Sequence, residues 1–398
     1  MRKKTIFSFM LASLLMAGMS SCDKTTDGAA APQGESGTMK VVLGFDQTKT
    51  YATSTAKPTT SWQKNIKSVA IFLTDNNGEI KYAQPIEYSG DNNTDQQEKT
   101  LTGVPVGSYT AYVFANWDQG DHKDASKATW TVAAAKGRNI ADLYMDAMAS
   151  SDFETDKHQT SEANSKGYDQ APEIFVAKVD NVVIEADKEK AAKFSLTRIV
   201  SLFRVRIDQS VNTNENRNNT INFKDDKASL RIRRIKTGTT VTGTTHSNSG
   251  VTPENTVFYA KGAFSGENPS ADYSQGEVLT DKFTSWKDVI LIPAGSKDTS
   301  AEKLDVVITG ITTDGTYVPA GEESACPAGS QIAWAGAVNA ALTANGILEV
   351  NLTLQSAGTL VDPTNPDHPV PTPTEYGSLK VQVSLSDWGN IESTSIIM

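Results

Sequence analysis

The sequence predicts an all-β protein of the β-sandwich kind, and two observations on strand pattern and turns predict it. Apolar residues recur with a period of two over many short stretches, as half-buried strands require. Clusters of Gly, Pro, Asn and Asp separate those stretches at short intervals. The only thiols in the 398 residues are Cys22 and Cys326, so no internal disulfide is expected once Cys22 is otherwise engaged. Stability must come from buried apolar surface, and the length allows two domains of ordinary size.

The first elements are those of an export signal. Arg2, Lys3 and Lys4 supply the positive start, and residues 6–16 an apolar run too short to be a resident membrane span. Gly18, Met19, Ser20 and Ser21 then lead into Cys22. That approach looks like a lipobox, in which a diacylglycerol is attached to the cysteine sulphur before signal peptidase II cuts. The alternative is an ordinary signal peptide that happens to contain a cysteine. Both take the chain out of a bacterial cytoplasm. No later stretch has the length and apolarity of a membrane-spanning helix, so the lipid is the expected anchor, and two acyl chains on one glycerol hold where a single chain does not.

Residues 23–38 are small and polar without periodicity and read as a tether. Met39, Val41, Leu43 and Phe45 then alternate with Lys40, Val42 and Gly44, which predicts a half-buried strand. A polar loop follows to Trp62. Residues 66–73 read as a strand, Asp75 to Gly78 as a turn with Gly78 at positive φ, and Ile80, Lys81 and Tyr82 as the return. Residues 99–109 lead through a Pro/Gly turn into a strongly apolar strand at 110–117. Residues 133–148 have the best helical composition in the chain, inside an otherwise polar insertion at 118–167. Residues 175–177, 182–184 and 193–207 are further strands, the last long enough to run along a sandwich edge or to join two domains. The second half continues the style at 229–236, 257–260, 289–293, 304–311, 317–318 and 346–354. A Pro-rich hinge at 362–373 precedes an alternating segment at 379–385 and an apolar end at 391–398.

Composition and motifs exclude several classes of function. A net charge of -10 gives nucleic-acid binding no electrostatic support. The four histidines, His122, His158, His246 and His368, lack ligand spacing, and Cys326 has no neighbouring His or second Cys. No metal site and no cofactor are expected, and Cys326 reads as a small buried residue. Asp91, Asn92, Asn93, Thr94 and Asp95 alternate oxygen ligands but lack the glycine and terminal glutamate of a calcium loop, so they read as an exposed loop. Neither a Gly-x-Ser-x-Gly elbow nor a phosphate-cradling glycine loop precedes a helix; no catalytic residue is assigned, and the chain is read as a non-enzyme. Alternation across Arg231, Ile232 and Arg233 predicts a solvated basic strand face. The six tryptophans, Trp62, Trp117, Trp130, Trp286, Trp334 and Trp388, read as core and sheet-edge residues rather than a carbohydrate platform.

The two ends are unusual. A short apolar strand is separated from the body by a polar loop at one end, and residues 379–385 and 391–398 hang beyond a proline hinge at the other. An isolated amphipathic strand must pair with something, because its amides and apolar face are otherwise left in water. Two such strands at opposite ends suggest exchange between molecules, in which hydrogen bonds give affinity and alternate side chains give register. Met39, Val41, Leu43 and Phe45 would belong to the removable strand. Leu379, Val381, Val383 and Leu385, or Ile391, Ile396 and Ile397, would belong to the donor.

These segments, taken in order, resemble the Bacteroidales fimbrillins, the lipoprotein precursors of type V pili, and look most like the subunit of their short fimbriae. The resemblance rests on Cys22, the strand at residues 38–43 and the strand-turn-strand at 66–82. It continues with Val104, Pro105, Val106, Gly107, Ser108 and Tyr109 leading into Val113, Phe114, Ala115 and Asn116. It ends on Leu196, Thr197, Arg198, Ile199 and Val200, the hinge at 362–373 and residues 381–388. It implies two transthyretin-like β-sandwich domains and delivery of a lipidated precursor to the outer membrane and cell surface. It further implies a cut by a surface trypsin-like protease after the first strand, and polymerisation head to tail with identical or related subunits, supporting adhesion. In the family the cut commonly follows an arginine, and here no arginine lies between the first strand and Ile66. Lys49, followed by Thr50, stands in the corresponding place; Lys57 is blocked by Pro58, and Lys64 comes late. The implied organisation is a signal peptide at 1–21, a tether and removable strand at 22–49, domains at 50–190 and 191–361, and a hinge with donor strand at 362–398. Readings kept beside it are an anchor or tip subunit, and a surface glycan-binding lipoprotein.

Overall fold

The structure, a computed structural model, describes residues 35–45, 66–88, 96–118, 121–124, 130–153, 165–208, 220–246, 255–265, 284, 286–299, 302–362, 370 and 379–387. In chain order its strands begin with β1 (Ser36–Phe45), β2 (Val69–Thr74), β3 (Ile80–Ile86), β4 (Gln96–Pro105), β5 (Gly107–Ala115), β6 (Asp121–Asp124), β7 (Leu143–Asp146) and β8 (Lys166–Tyr168). There follow β9 (Phe175–Ile184), β10 (Glu189–Arg198), β11 (Ser201–Asp208), β12 (Ile221–Asn222), β13 (Ser229–Arg233), β14 (Gly238–Thr240) and β15 (Thr245–His246). The last are β16 (Thr256–Lys261), β17 (Lys287–Leu291), β18 (Leu304–Thr312), β19 (Gln331–Val338), β20 (Gly346–Leu354), β21 (Thr359–Val361) and β22 (Leu379–Asp387). The protein is all-β, as its alternation predicts.

The first sandwich faces the antiparallel layer β3-β2-β5-β9 with the layer β10-β1-β4. The layers join where β9 and β10 pair briefly, Val176 opposite Thr197 and Phe175 opposite Arg198. Val69, Ile71 and Leu73 of β2, Ala111 and Val113 of β5, and Val182 and Ile184 of β9 point into its core. The opposite face of the first layer is covered too. Ala70 and Phe72 pack with Phe114, Trp130, Leu143 and Met145 under the small sheet β15-β14-β7-β6. A strand covered on both sides has no polar side to show, which is why β2 reads as an unbroken apolar run.

The helical composition of residues 133–148 does not yield an α-helix. Gly137 takes φ 83, Asn139 is extended, and one 3-10 turn (Ile140–Asp142) leads straight into β7. Leu143 and Met145 there face the apolar cluster with a period of two, so burial overrides composition. Residues 193–207 are likewise two strands: β10 belongs to the first sandwich, and β11 starts the second after a break at Ile199 and Val200.

The second sandwich packs the layer β17-β11-β20-β22 against β21-β19-β18-β13-β16-β8. Phe203, Val205 and Ile207 of β11 meet Leu230, Ile232, Val306, Ile308, Trp334, Leu348 and Val350 in its core. Residues 317–318 are not a strand. Tyr317 instead buries its ring and donates its hydroxyl hydrogen to Ala357 O at 2.6 Å. The solvated basic face expected on β13 is also overturned: Arg231 and Arg233 are each 4% exposed. The Arg231 guanidinium lies 4.9 Å over the Tyr259 ring and donates to Ser229 Oγ at 2.8 Å, and Phe153 meets Tyr259 edge-on. Strand alternation set the two arginines on one face, but chain from elsewhere covers that face.

Candidate functional site: the slot of the first strand

β1 opens the described chain, yet it occupies an interior position. It runs parallel to β10, from Thr38 opposite Glu189 to Phe45 opposite Leu196. On its other edge it runs antiparallel to β4, from Ser36 opposite Pro105 to Gly44 opposite Gln96, with an irregularity between Gly37 and Met39. Both edges are therefore hydrogen bonded, which an end strand achieves only if later chain folds around it. The period-two pattern places Met39, Val41 and Leu43 inward, at 0%, 0% and 2% exposure. They pack among Leu101 and Val104 of β4 and Ala192, Phe194 and Leu196 of β10. On the outer face Lys40 Nζ meets Glu98 Oε2 at 2.6 Å, and the carboxylate holds the ammonium above its usual range. That exposed pair contributes little to stability and marks the register.

The entry to the slot is tight. A Cβ on Gly37 would fall 2.3 Å from Glu185 O, so only glycine passes the turn between β9 and β10. Thr38 N donates to Lys188 O at 3.0 Å, and Val106 N donates to Glu35 O at 3.2 Å, so both neighbouring turns clamp the start of β1.

At the other end, β22 is the last strand of its layer and pairs antiparallel with β20, from Leu379 opposite Leu354 to Asp387 opposite Gly346. Leu379 is buried against the second core, and Val381, Val383 and Leu385 are half-buried against it. Gly336 on β19 makes room, because a Cβ there would lie 2.7 Å from Val381 Cγ2. The hinge is not wholly detached either: Val370 is buried with Val307, Ala333, Ala335 and Val361 on the outer face of the second sandwich.

Structure thus brings together Met39, Val41 and Leu43, and separately Leu379, Val381, Val383 and Leu385. Cys22, Lys49, Thr50, Ile391, Ile396 and Ile397 lie outside the described residues, as do residues 91–95, Trp62 and Trp388. Sequence reasoning missed the slot walls. Leu101 and Phe194 sit in visible alternations, but nothing local signals that their strands meet across β1. Cys326 is buried. Among the described residues no group of three or more His, Cys, Asp or Glu could hold a metal ion, and no helix is long and apolar enough to cross a membrane. Trp130 and Trp334 fill two different cores, Trp117 stacks on Trp130, and Trp286 lies against the guanidinium groups of Arg204 and Arg206 at 4.9 and 4.4 Å.

Fold and site together define a β-sandwich protein with a discrete apolar first strand set into an interior slot. The chain belongs to the family described as Fimbrillin-A associated anchor proteins Mfa1 and Mfa2, whose sequence model matches residues 36–394, and is a fimbrial, adhesin-like protein of that family. The match begins at the first residue of β1 and takes in β22. No curated protein matches the chain. Among solved structures, a candidate cell adhesion protein from Bacteroides eggerthii is similar at 12% identity and a TM-score of 0.46, covering 91% of this chain and 98% of that one. A fimbrilin from Porphyromonas gingivalis W83 shares 13% identity with a TM-score of 0.45 over 88% and 97%. The fimbrial anchor protein Mfa2 from Porphyromonas gingivalis shares 11% identity with a TM-score of 0.38 over 88% and 98%.

Proposed function

We propose that this protein is a structural subunit of a cell-surface fimbria, exported as a lipoprotein on Cys22, cut after Lys49 and polymerised by strand exchange. Its role is mechanical and adhesive rather than catalytic. The observation that carries the reading is the placement of β1: an end strand in an interior slot, with three fully buried side chains. Burying each such side chain contributes about 1.5–3 kcal/mol, so an empty slot is a strong acceptor for a similar strand. While attached, β1 competes for that slot at high effective concentration and prevents premature assembly. Once it is cut away, a head-to-tail contact that does not close on itself yields a filament. A second reading, an anchor subunit, is favoured by the family description and differs in keeping β1 in place.

The test treats purified precursor with trypsin at low dose, sequences the new amino terminus and examines the product by electron microscopy. A terminus at Thr50 together with filaments is the result expected of a polymerising subunit. Lys49→Ala should stay uncut there and monomeric. A wild-type chain that loses β1 and still forms no filaments would refute the polymerising reading.

A further inference from the structure

The proline hinge reads in sequence as a spacer, yet one of its residues is embedded. Val370, between Pro369 and Pro371, is 1% exposed. It fills a trough on the outer face of the second sandwich, floored by Ala333 and Ala335 of β19 and walled by Val307 of β18 and Val361 of β21. Val307 lies directly opposite Ala335 in the sheet, and Val361 opposite Gln331. The two alanines leave the room that a bulkier strand residue would occupy. A proline fixes its own φ and keeps the residue before it extended, so Val370 reaches the trough with little backbone freedom left to lose.

The same strand is gripped from its other face. Gly336 follows Ala335, so the two residues face opposite sides of the sheet. A Cβ on Gly336 would lie 2.7 Å from Val381 Cγ2 and 2.9 Å from Leu379 Cβ. Val370 and the first residues of β22 therefore sit back to back across two consecutive residues of β19, and eight residues of chain join them. β22 itself has a modest hold. It is bonded along one edge, to β20, and of its inward side chains only Leu379 is buried, Val381, Val383 and Leu385 being half-buried.

We propose that Val370 is a peg that retains β22 on its own molecule. Peg in trough and strand on β20 form a two-point clasp around β19. Two modest attachments joined by a short link hold each other in place, because when one lets go the other keeps it near its seat at high effective concentration. With the peg drawn, β22 is kept by its single ladder and Leu379 alone, and it peels from the edge of its layer without breaking a second ladder. The clasp acts within one chain, before any contact with another. It therefore serves a polymerising subunit and an anchor alike, and it stands whichever of those readings holds.

Hydrogen exchange on the full-length precursor tests the peg. In Val370→Asp the β22 amides should exchange about tenfold faster or more, the scale set by burying one valine side chain. The amides of β1 and β18 should keep their protection. Trypsin gives a second reading, since Lys380 is exposed and the chain beyond it carries no Lys or Arg, so a freed β22 yields the single fragment 381–398. That fragment should appear faster from Val370→Asp by the same factor. Ala335→Leu, which fills the trough and shuts the peg out, should have the same effect with Val370 in place. Unchanged β22 exchange and unchanged fragment release in Val370→Asp would show β20 alone retaining the strand and overturn the peg, whatever Ala335→Leu does. Protection lost equally from β13, β18 and β22 in Val370→Asp would make Val370 an ordinary core residue and overturn it as well.

Discussion

Arg198 is the residue on which the two sandwiches meet. Its Nε donates to Glu173 Oε1 at 2.6 Å, its Nη1 to Asn345 Oδ1 at 2.9 Å, and its guanidinium lies 5.1 Å over the Phe175 ring. The ion pair is buried, at 8% and 6% side-chain exposure. Removing one partner strands a charge, so Arg198→Met should lose about 3–5 kcal/mol of stability, read from the shift of a urea midpoint. A loss under about 1 kcal/mol would show the carboxylate finding another partner. Asp305 has the opposite character. Burial pushes its carboxyl above the ordinary value of 3.8, against the pull of Arg234 and Arg233. A folded state that holds its proton more tightly than the unfolded chain has that contribution in full below the ordinary carboxylate range. It loses the contribution as pH rises through the folded-state value. Asp305→Asn should therefore flatten the decline of stability with pH above 3.8, measured by urea unfolding at stepped pH. An unchanged slope would assign the decline to other groups.

At the scale of elements, legibility followed the reach of the signal. β1, β2, β5, β18 and β20 announce themselves through alternating or continuous apolar residues, and the turn at Gly78 through the run Asp75, Asn76, Asn77 and Gly78, the glycine taking φ 81. β19 did not, because its run Gln331, Ile332, Ala333, Trp334, Ala335, Gly336, Ala337 and Val338 is rich in alanine and glycine, weak strand formers by propensity. Those small residues are what the packing needs: Ala333 and Ala335 sit under Val370, and Gly336 under Val381. The element β1 is itself testable apart from any filament. Protein beginning at Thr50, mixed with a synthetic peptide of residues 36–45, should gain about 2.7 kcal/mol when the peptide is at a hundred times its Kd. No rise in Tm would mean that β4 and β10 close on each other in its absence. Within the intact precursor, Leu43→Ala should cost about 2–5 kcal/mol, as for other fully buried leucines, measured by denaturant titration.

For the whole molecule, the proposed parts at residues 50–190 and 191–361 are tied by more than a linker. β14 and β15 of the later part complete a sheet with β6 and β7 of the earlier one, Gly238 lying opposite Asp146 and Thr240 opposite Tyr144. Ala171 N of the earlier part also donates to Ile290 O of the later one at 2.9 Å. A chain stitched in this way has the two parts joined through a shared sheet as well as through the covalent link. Delivery is a separate step: Cys22→Ala should abolish incorporation of a labelled fatty acid and leave unlipidated protein, and labelling that persists would sink the lipobox reading. By itself the sequence determined the all-β class, the two amphipathic end strands, the want of a catalytic motif and the family likeness. All of these are local patterns of side-chain type along the chain. Tertiary structure alone decided that β1 is an interior strand flanked by β10 and β4, that β22 has a seat on β20, and that Arg231 and Arg233 are covered. Those facts depend on which distant segments meet, and a period-two pattern fixes the side a residue faces without naming the strand beside it.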